Sequence, residues 1–436
     1  MTDPAWIDVA LRAARPRALG ALLRYFRDLE LAEEAFQEAC LAALKNWPNN
    51  GPPRDPSAWL IFVGRNAAID ATRRASKSQP LPDEARLDAQ VSDLEDAEAA
   101  LAERLDTGQY RDDILRLLFV CCHPQLPATQ QVALALRIVC GLGTRQIARA
   151  FVVGDTAMEQ RITRAKARIA AAEVPFEAPD ARERAARLSS VATVIYLIFN
   201  EGYSASAGDE APGRAPLCDE AIRLSRLLLR LFPGEPELMG LHALMLLQHA
   251  RTPARYDAEG AIVLLEAQDR TSWDRGLIGE GLALLDKALR HRQAGPYQVQ
   301  AAIAAMHARA PRWQDTDWAE IAHHYGTLEA LQPSPVVTLN RAVAVSKAIG
   351  PAEALAIVEP LAEPLASYFH FHGVRGALLM QLGRTQEART AFQQAIALAG
   401  SAAEAAHIRM HLDQLAQTGP TQGQPQPKED PWQSKA

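Results

Sequence analysis

Residues 129–169 read TQQVALALRIVCGLGTRQIARAFVVGDTAMEQRITRAKARI, and this stretch decides the fold. Apolar residues at helical spacing predict a helix over 131–139, which Gly141-Leu142-Gly143 stops. Thr144 then suits the N-cap of a short helix carrying Ile147, Ala148 and Phe151. A turn at Val153-Gly154 follows, and Asp155 suits the cap of a last helix bearing Arg161, Arg164, Lys166 and Arg168. Helix, tight glycine turn, and a second helix rich in polar and basic groups make a helix-turn-helix. Its cations can bridge to phosphates. Residues near the start of the last helix, Thr156, Glu159 and Gln160, can reach base edges in the major groove.

Charge is segregated around this module. Between residues 128 and 170 seven basic residues face two acidic ones, whereas between 75 and 113 four basic residues face eleven acidic ones. The acidic stretch, with Pro80 and Pro82 at its start, reads as an extended tether with one helix around 94–105. The whole chain has 436 residues and a formal charge of −6, so any nucleic-acid signal is local. Ala and Leu dominate and aromatics are 6%, which favours an all-α fold of several domains. Five cysteines (Cys40, Cys121, Cys122, Cys140, Cys218), with no CxxC pair, argue against a disulfide framework or a cysteine-rich zinc site. No apolar run is long enough to cross a membrane, and an intracellular protein is expected.

Upstream of the tether lie two further helical stretches. RALGALLRYFRDLELAEEAFQEACLAALKNW carries an acidic face, and DPSAWLIFVGRNAAIDATRR places Trp59 near its start and Arg65, Asn66, Asp70, Arg73 and Arg74 on its polar side. Between them NWPNNGPPRDPS reads as a loop. An aromatic side chain with a basic helix end can stack on and grip a single strand, although on the residues alone the preferred reading is Trp59 in the core and the arginines on the surface. Downstream, residues 175–417 are helical by apolar spacing. Ala342, Ala354, Val358 and Leu361 recur 34 residues later as Gly376, Ala388, Phe392 and Ala395, the period of a tetratricopeptide-like repeat. The final stretch, 418–436, is Pro/Gln-rich and is expected to be disordered.

The order of these segments resembles an extracytoplasmic-function (ECF) sigma factor. DLELAEEAFQEACLAALKNW and AWLIFVGRNAAIDATRR are similar to sigma region 2, and GTRQIARAFVVGDTAMEQRITRAKARI to region 4. IYLIFNEGYSAS, LCDEAIRLSRLL, EAQDRTSWD, GPYQVQAAIAA and PSPVVTLNRAVAV resemble the C-terminal extension of a subgroup with a tetratricopeptide-like domain.

The resemblance implies region 2 over 1–74, an acidic linker over 75–113, region 4 over 114–173, a regulatory extension over 174–417 and a tail over 418–436. It assigns Asp28, Glu30, Glu33, Glu34, Gln37 and Glu38 to docking on the clamp helices of the largest catalytic subunit of RNA polymerase, with the polymerase flap as a further partner. The loop 46–57, with Asn46, Asn49, Asn50 and Arg54, and the helix with Trp59, Arg65, Asn66, Asp70, Arg73 and Arg74, would hold the melted minus-ten element of promoter DNA. Arg145, Thr156, Glu159, Gln160, Arg161, Thr163, Arg164 and Lys166 would read the minus-thirty-five element. Many ECF recognition helices carry a base where Glu159 stands; a carboxylate there can accept a hydrogen bond from cytosine N4, so a different promoter sequence is expected. The implied protein is a bacterial cytoplasmic initiation factor, associated with the nucleoid through polymerase. It would have no catalysis or cofactor, and a signalling protein or ligand would act at the extension. The competing reading is a helix-turn-helix regulator fused to a repeat scaffold without polymerase contact, which leaves the acidic face unexplained.

No enzyme constellation competes. Adjacent Cys121-Cys122-His123 cannot converge on one ion, and His323-His324 and His370-Phe371-His372 lack metal-helix spacing. Gly141-Leu142-Gly143 has Gln146 where a dinucleotide loop needs a third glycine. Asn200-Glu201-Gly202-Tyr203 is the most site-like cluster of the C-terminal half. Gly202 is expected to end a helix over 191–200, and the cluster to contact region 2, region 4 or a signal.

Overall fold

The computed structural model describes residues 5–51, 53–76, 107–151, 153–172, 181–203, 215–257, 263–399 and 402–417. The fold is all-α, with no β-strand among the described residues. The chain divides into two compact units with the boundary near residue 245. The expected helix over 94–105 and the tail over 418–436 lie outside the described residues.

In the first unit, α1 (Ala5–Phe26), α2 (Leu29–Asn50) and α3 (Pro56–Ser76) enclose Leu19, Leu22, Leu23, Phe36, Trp47 and Leu60, all buried. Arg27, at φ 55°, ends α1, and Asp28 caps α2 by accepting from the Glu30 and Leu31 amides at 2.8 and 3.0 Å. The loop expected over 46–57 is much shorter. α2 continues through Pro48 to Asn50, where Gly51, at φ 78°, turns its N–H back to Trp47 O at 2.9 Å. Asp55 then caps α3 through the Ser57 amide at 2.8 Å.

The helix-turn-helix is built from α4 (Thr107–Cys121), α5 (Ala128–Ile138), α6 (Thr144–Ala150) and α7 (Asp155–Ala171). Three details differ from expectation. The acidic stretch is helical from Thr107, and Asp113 is buried between Arg24 at 3.4 Å and Arg116 at 3.0 Å. Thr144 is the first residue of α6, and the capping bond comes from Gln146 Oε1, which accepts from Gly143 N–H at 2.8 Å. Asp155 lies inside α7, after Gly154, and pairs with Arg145 at 3.2 Å. Gln146, one turn along, thus serves the start of α6, and Arg145, across the turn, engages the Asp155 carboxylate.

α8 (Ala181–Tyr203) and α9 (Ala215–Leu231) form the next pair, and α10 (Pro236–His249) follows. Gly202 does not end α8 but lies in its last turn. A Cβ there would stand 2.9 Å from the Cys218 amide nitrogen, so the glycine permits the close crossing of α8 and α9.

The second unit runs through α11 (Arg275–Leu289), α12 (Pro296–Arg309), α13 (Trp318–Leu331), α14 (Pro335–Ala348), α15 (Pro351–Val358), α16 (Phe369–Gln381), α17 (Thr385–Leu398) and α18 (Ala402–Gln417). Ala342, Ala354, Val358, Leu361, Ala388, Phe392 and Ala395 belong to one buried cluster. Gly376 lies against the Phe392 ring, where a Cβ would be 2.6 Å from ring carbons. Gly376 thus lets α16 and α17 pack closely.

The EAQDRTSWD segment supplies a buried cation, Arg270. It donates to His307 O at 2.8 Å, Ala310 O at 2.7 Å and Thr316 Oγ1 at 3.3 Å, closing the end of α12. The His307 ring stacks near Trp313 and meets Trp318 edge-on. Burial, then the charges of Arg251 and Arg270, push its pKa down to about 4 from 6.5. The unfolded chain therefore takes up a proton at His307 between about pH 6.5 and 4 that the folded chain refuses, and stability falls as pH falls through that window. Denaturant midpoints of the second unit should drop between pH 7 and 4.5, and less so in His307→Phe.

Candidate nucleic-acid interface

α7 divides cleanly into two faces. Met158, Ile162, Ala165 and Ile169 are buried against α5 and α6. Thr156, Glu159, Gln160, Thr163 and Arg164 are exposed on the opposite side, with Arg161 half-buried between them. The structure thus brings five of the residues expected at the minus-thirty-five element onto one open helix face. Arg145 is exposed but paired to Asp155, and Arg168 donates to Gln130 at 3.4 Å. Lys166 points away from this face, toward α2.

On α2, Glu30, Glu34, Gln37 and Glu38 are exposed and share the surface with Leu31, Leu41 and Leu44, which are 46%, 54% and 53% exposed. These leucines escaped the sequence reading, although they fall off the buried stripe of Ala32, Phe36, Ala39 and Ala43. An acidic helix face with exposed leucines is a surface for a basic, partly apolar partner.

Two expected site residues are interior. Trp59 is 5% exposed and packs edge-on to Trp47 at 5.4 Å, with Trp6 stacked on Trp47's ring. It offers no face for a base, because the aromatic cluster that closes α1–α3 consumes it. Of the remaining minus-ten candidates, Asn49, Asn50, Arg54 and Arg65 are exposed and Asn46 and Asn66 half-buried. Asn50 donates to Asn46, and Arg65 lies over the exposed Tyr25 ring at 4.6 Å. Asp70, Arg73 and Arg74 lie on α3, with side chains outside the described set.

The second interior residue is Glu33, 3% exposed. Lys166 Nζ of α7 lies against its Oε2, and Arg15 Nη2 of α1 is 4.0 Å from Oε1. Neither carboxylate oxygen accepts a well-directed hydrogen bond. Arg15 Nε donates to Ile138 O at 2.7 Å and Nη2 to Arg137 O at 3.3 Å, so a cation from α1 closes the carboxyl end of α5. Burial pushes the Arg15 pKa down, and Glu33 opposes that shift. Nothing in the spacing of RAARPRAL marks Arg15 for this duty.

α8 and α9 lie against the same helix-turn-helix. Arg187 stands over Phe119 at 5.4 Å, and Glu220 and Arg223 of α9 meet the Cys140 thiol just beyond α5. Asn200, Glu201, Gly202 and Tyr203 are partly exposed at the end of α8, and the Tyr203 ring stacks on Phe199 at 5.5 Å. No group of three or more metal-ligating side chains converges among the described residues.

A model of sigma-70 region 2 matches residues 11–78, and one of sigma-70 region 4 matches residues 116–169. Residues 187–289 match a family of unknown function, DUF6596. With the helix-turn-helix and the acidic helix in place, these define a sigma-70-type protein of transcription initiation, ECF-like, with a C-terminal extension. An uncharacterized protein of Rhizobium meliloti (strain 1021) is 69% identical over 416 residues, 95% of this chain and 97% of that protein, and the chain belongs to the same family. No helix among the described residues is long and apolar enough to cross a membrane.

The thiols around this interface are held neutral. Burial raises the pKa of Cys122 and Cys140 to about 12 and that of Cys121 well above its usual value. Iodoacetamide at pH 8 should leave these three unlabelled in the native chain and label them in denaturant. Native labelling within minutes would contradict the buried arrangement.

Proposed function

We propose that this chain recruits core RNA polymerase through the exposed face of α2 and reads a promoter through the exposed face of α7. Its C-terminal extension regulates it in cis. The observation that carries the reading is the stripe of Glu30, Leu31, Glu34, Gln37, Glu38, Leu41 and Leu44 on a helix matched to sigma region 2. The carboxylates set register and encounter with basic clamp helices of the largest catalytic subunit, and the leucines supply area to bury. The flap is the further polymerase partner, in the role the sequence resemblance implies.

On DNA, Thr156, Gln160, Thr163 and Arg164 supply donors and acceptors on one helix face, and Glu159 accepts from cytosine N4. Asn49, Asn50, Arg54 and Arg65, exposed around the end of α2 and on α3, serve the melted minus-ten strand by hydrogen bonding and charge, without Trp59. Cis regulation is supported by α8 and α9 lying directly on region 4. The 34-residue spacing in the second unit supports a tetratricopeptide-like scaffold for a signalling protein or ligand.

Two outcomes test this. Glu34→Lys with Glu38→Lys should lower retention of purified core polymerase at least tenfold at moderate salt while leaving the helical signal intact; wild-type retention would contradict the docking face. Glu159→Ala should relax discrimination at one base pair by about 1–3 kcal/mol, read from binding to a promoter library. An unchanged sequence preference would remove Glu159 from base reading.

A further inference from the structure

A cavity of about 570 Å³ lies in the second unit, between the turn that follows α15 and the helices α16 and α17. Cavities of about 300–1,000 Å³ are the usual size for enclosing a small molecule. Phe371, Ala397 and Leu398 give this one apolar surface, and Glu359, His372 and Arg375 give it polar groups. Leu398 is 37% exposed, so part of that apolar surface is open to be covered.

The polar groups are contiguous and incompletely used. His372 and Arg375 stand one turn apart on α16 and so share a face. Arg375 donates through Nε and Nη2 to a single oxygen of Glu359, Oε1, at 3.2 and 3.1 Å. Glu359 Oε2 and Arg375 Nη1 make no hydrogen bond among the described residues. His372 is 7% exposed, and its Nε2 lies 2.8 Å from Ala366 O. A carbonyl only accepts, so Nε2 carries the hydrogen and Nδ1 of the neutral ring is an acceptor. That Nδ1 is buried without a partner. An unpaired buried acceptor costs free energy that a bound N–H recovers.

We propose that this cavity binds a small zwitterion of the amino-acid class, a single residue or a dipeptide, with an apolar side chain. The ligand's ammonium group donates to Glu359 Oε2 and His372 Nδ1, its carboxylate accepts from Arg375 Nη1, and its side chain covers Leu398. One carboxylate and one guanidinium line the cavity. A ligand with both charges therefore matches them, whereas a ligand with one charge leaves a desolvated group unmatched. This deepens the reading of the second unit as a scaffold for a signalling ligand, and it rests on that reading.

Isothermal titration calorimetry on the full chain tests this, with the standard amino acids and leucyl-leucine as probes. At least one should bind with a dissociation constant of about 1 mM or tighter. The tighter of the two arms identifies a single residue or a dipeptide as the ligand. For the best probe, the analogue lacking the ammonium group and the analogue lacking the carboxylate should each bind at least tenfold more weakly. Arg375→Gln should weaken binding at least tenfold. Ala397→Trp, which adds bulk at an exposed position on the cavity wall and guards against misfolding of the first variant, should do the same. Absence of binding by every probe, or wild-type binding in both variants, would overturn the site and leave the polymerase reading standing. A chain that binds its probe but retains no core polymerase would overturn the sigma-factor reading alone.

Discussion

A carboxylate removed from water must keep a cation beside it, and in the first unit that requirement ties two domains together. Glu33 of α2 is buried with Lys166 of α7 and Arg15 of α1, and Arg15 in turn closes the carboxyl end of α5. The three side chains come from helices matched to two different sigma regions. Their arrangement fixes which face of α7 and which flank of α2 remain exposed. Buried ion pairs contribute little net stability, so their use here is better understood as orientation.

The charge distribution follows the same logic. The acids that stay in water, Glu30, Glu34 and Glu38, lie among exposed leucines, while the polar groups that stay in water on α7 are of the kind that meet base edges and phosphates. The extension's first helices press on region 4 from another side, through Arg187 on Phe119 and α9 on Cys140.

Much of this was legible in the sequence, because helix spacing and turn residues are local properties. The helix-turn-helix, the acidic helix and the 34-residue recurrence of small and large core positions all follow from period and side-chain size. Thr144 and Asp155 are the first residues of their helices and not the caps; Gln146 accepts from the Gly143 amide and Arg145 pairs with Asp155. Pro48 suggested a loop, but it sits in the last turn of α2 and Gly51 provides the actual stop. Gly202 resembled a helix end until its crossing partner, Cys218, was in place. The family resemblance places Trp59 and Glu33 on binding surfaces, although Trp59 stands between Ala58 and Leu60. Only the tertiary fold shows that Trp47 and Lys166 claim them. Contacts between domains leave no periodic trace, which is why Arg15 had no signal at all.

Initiation in a purified system tests the central claim most directly. Core polymerase, a library of genomic promoter fragments and nucleotides would be combined with and without the full chain, and the transcripts sequenced. The account predicts discrete start sites that appear only with the chain and share two elements separated by a fixed spacing. A chain that binds the same fragments yet produces no new start sites would contradict it.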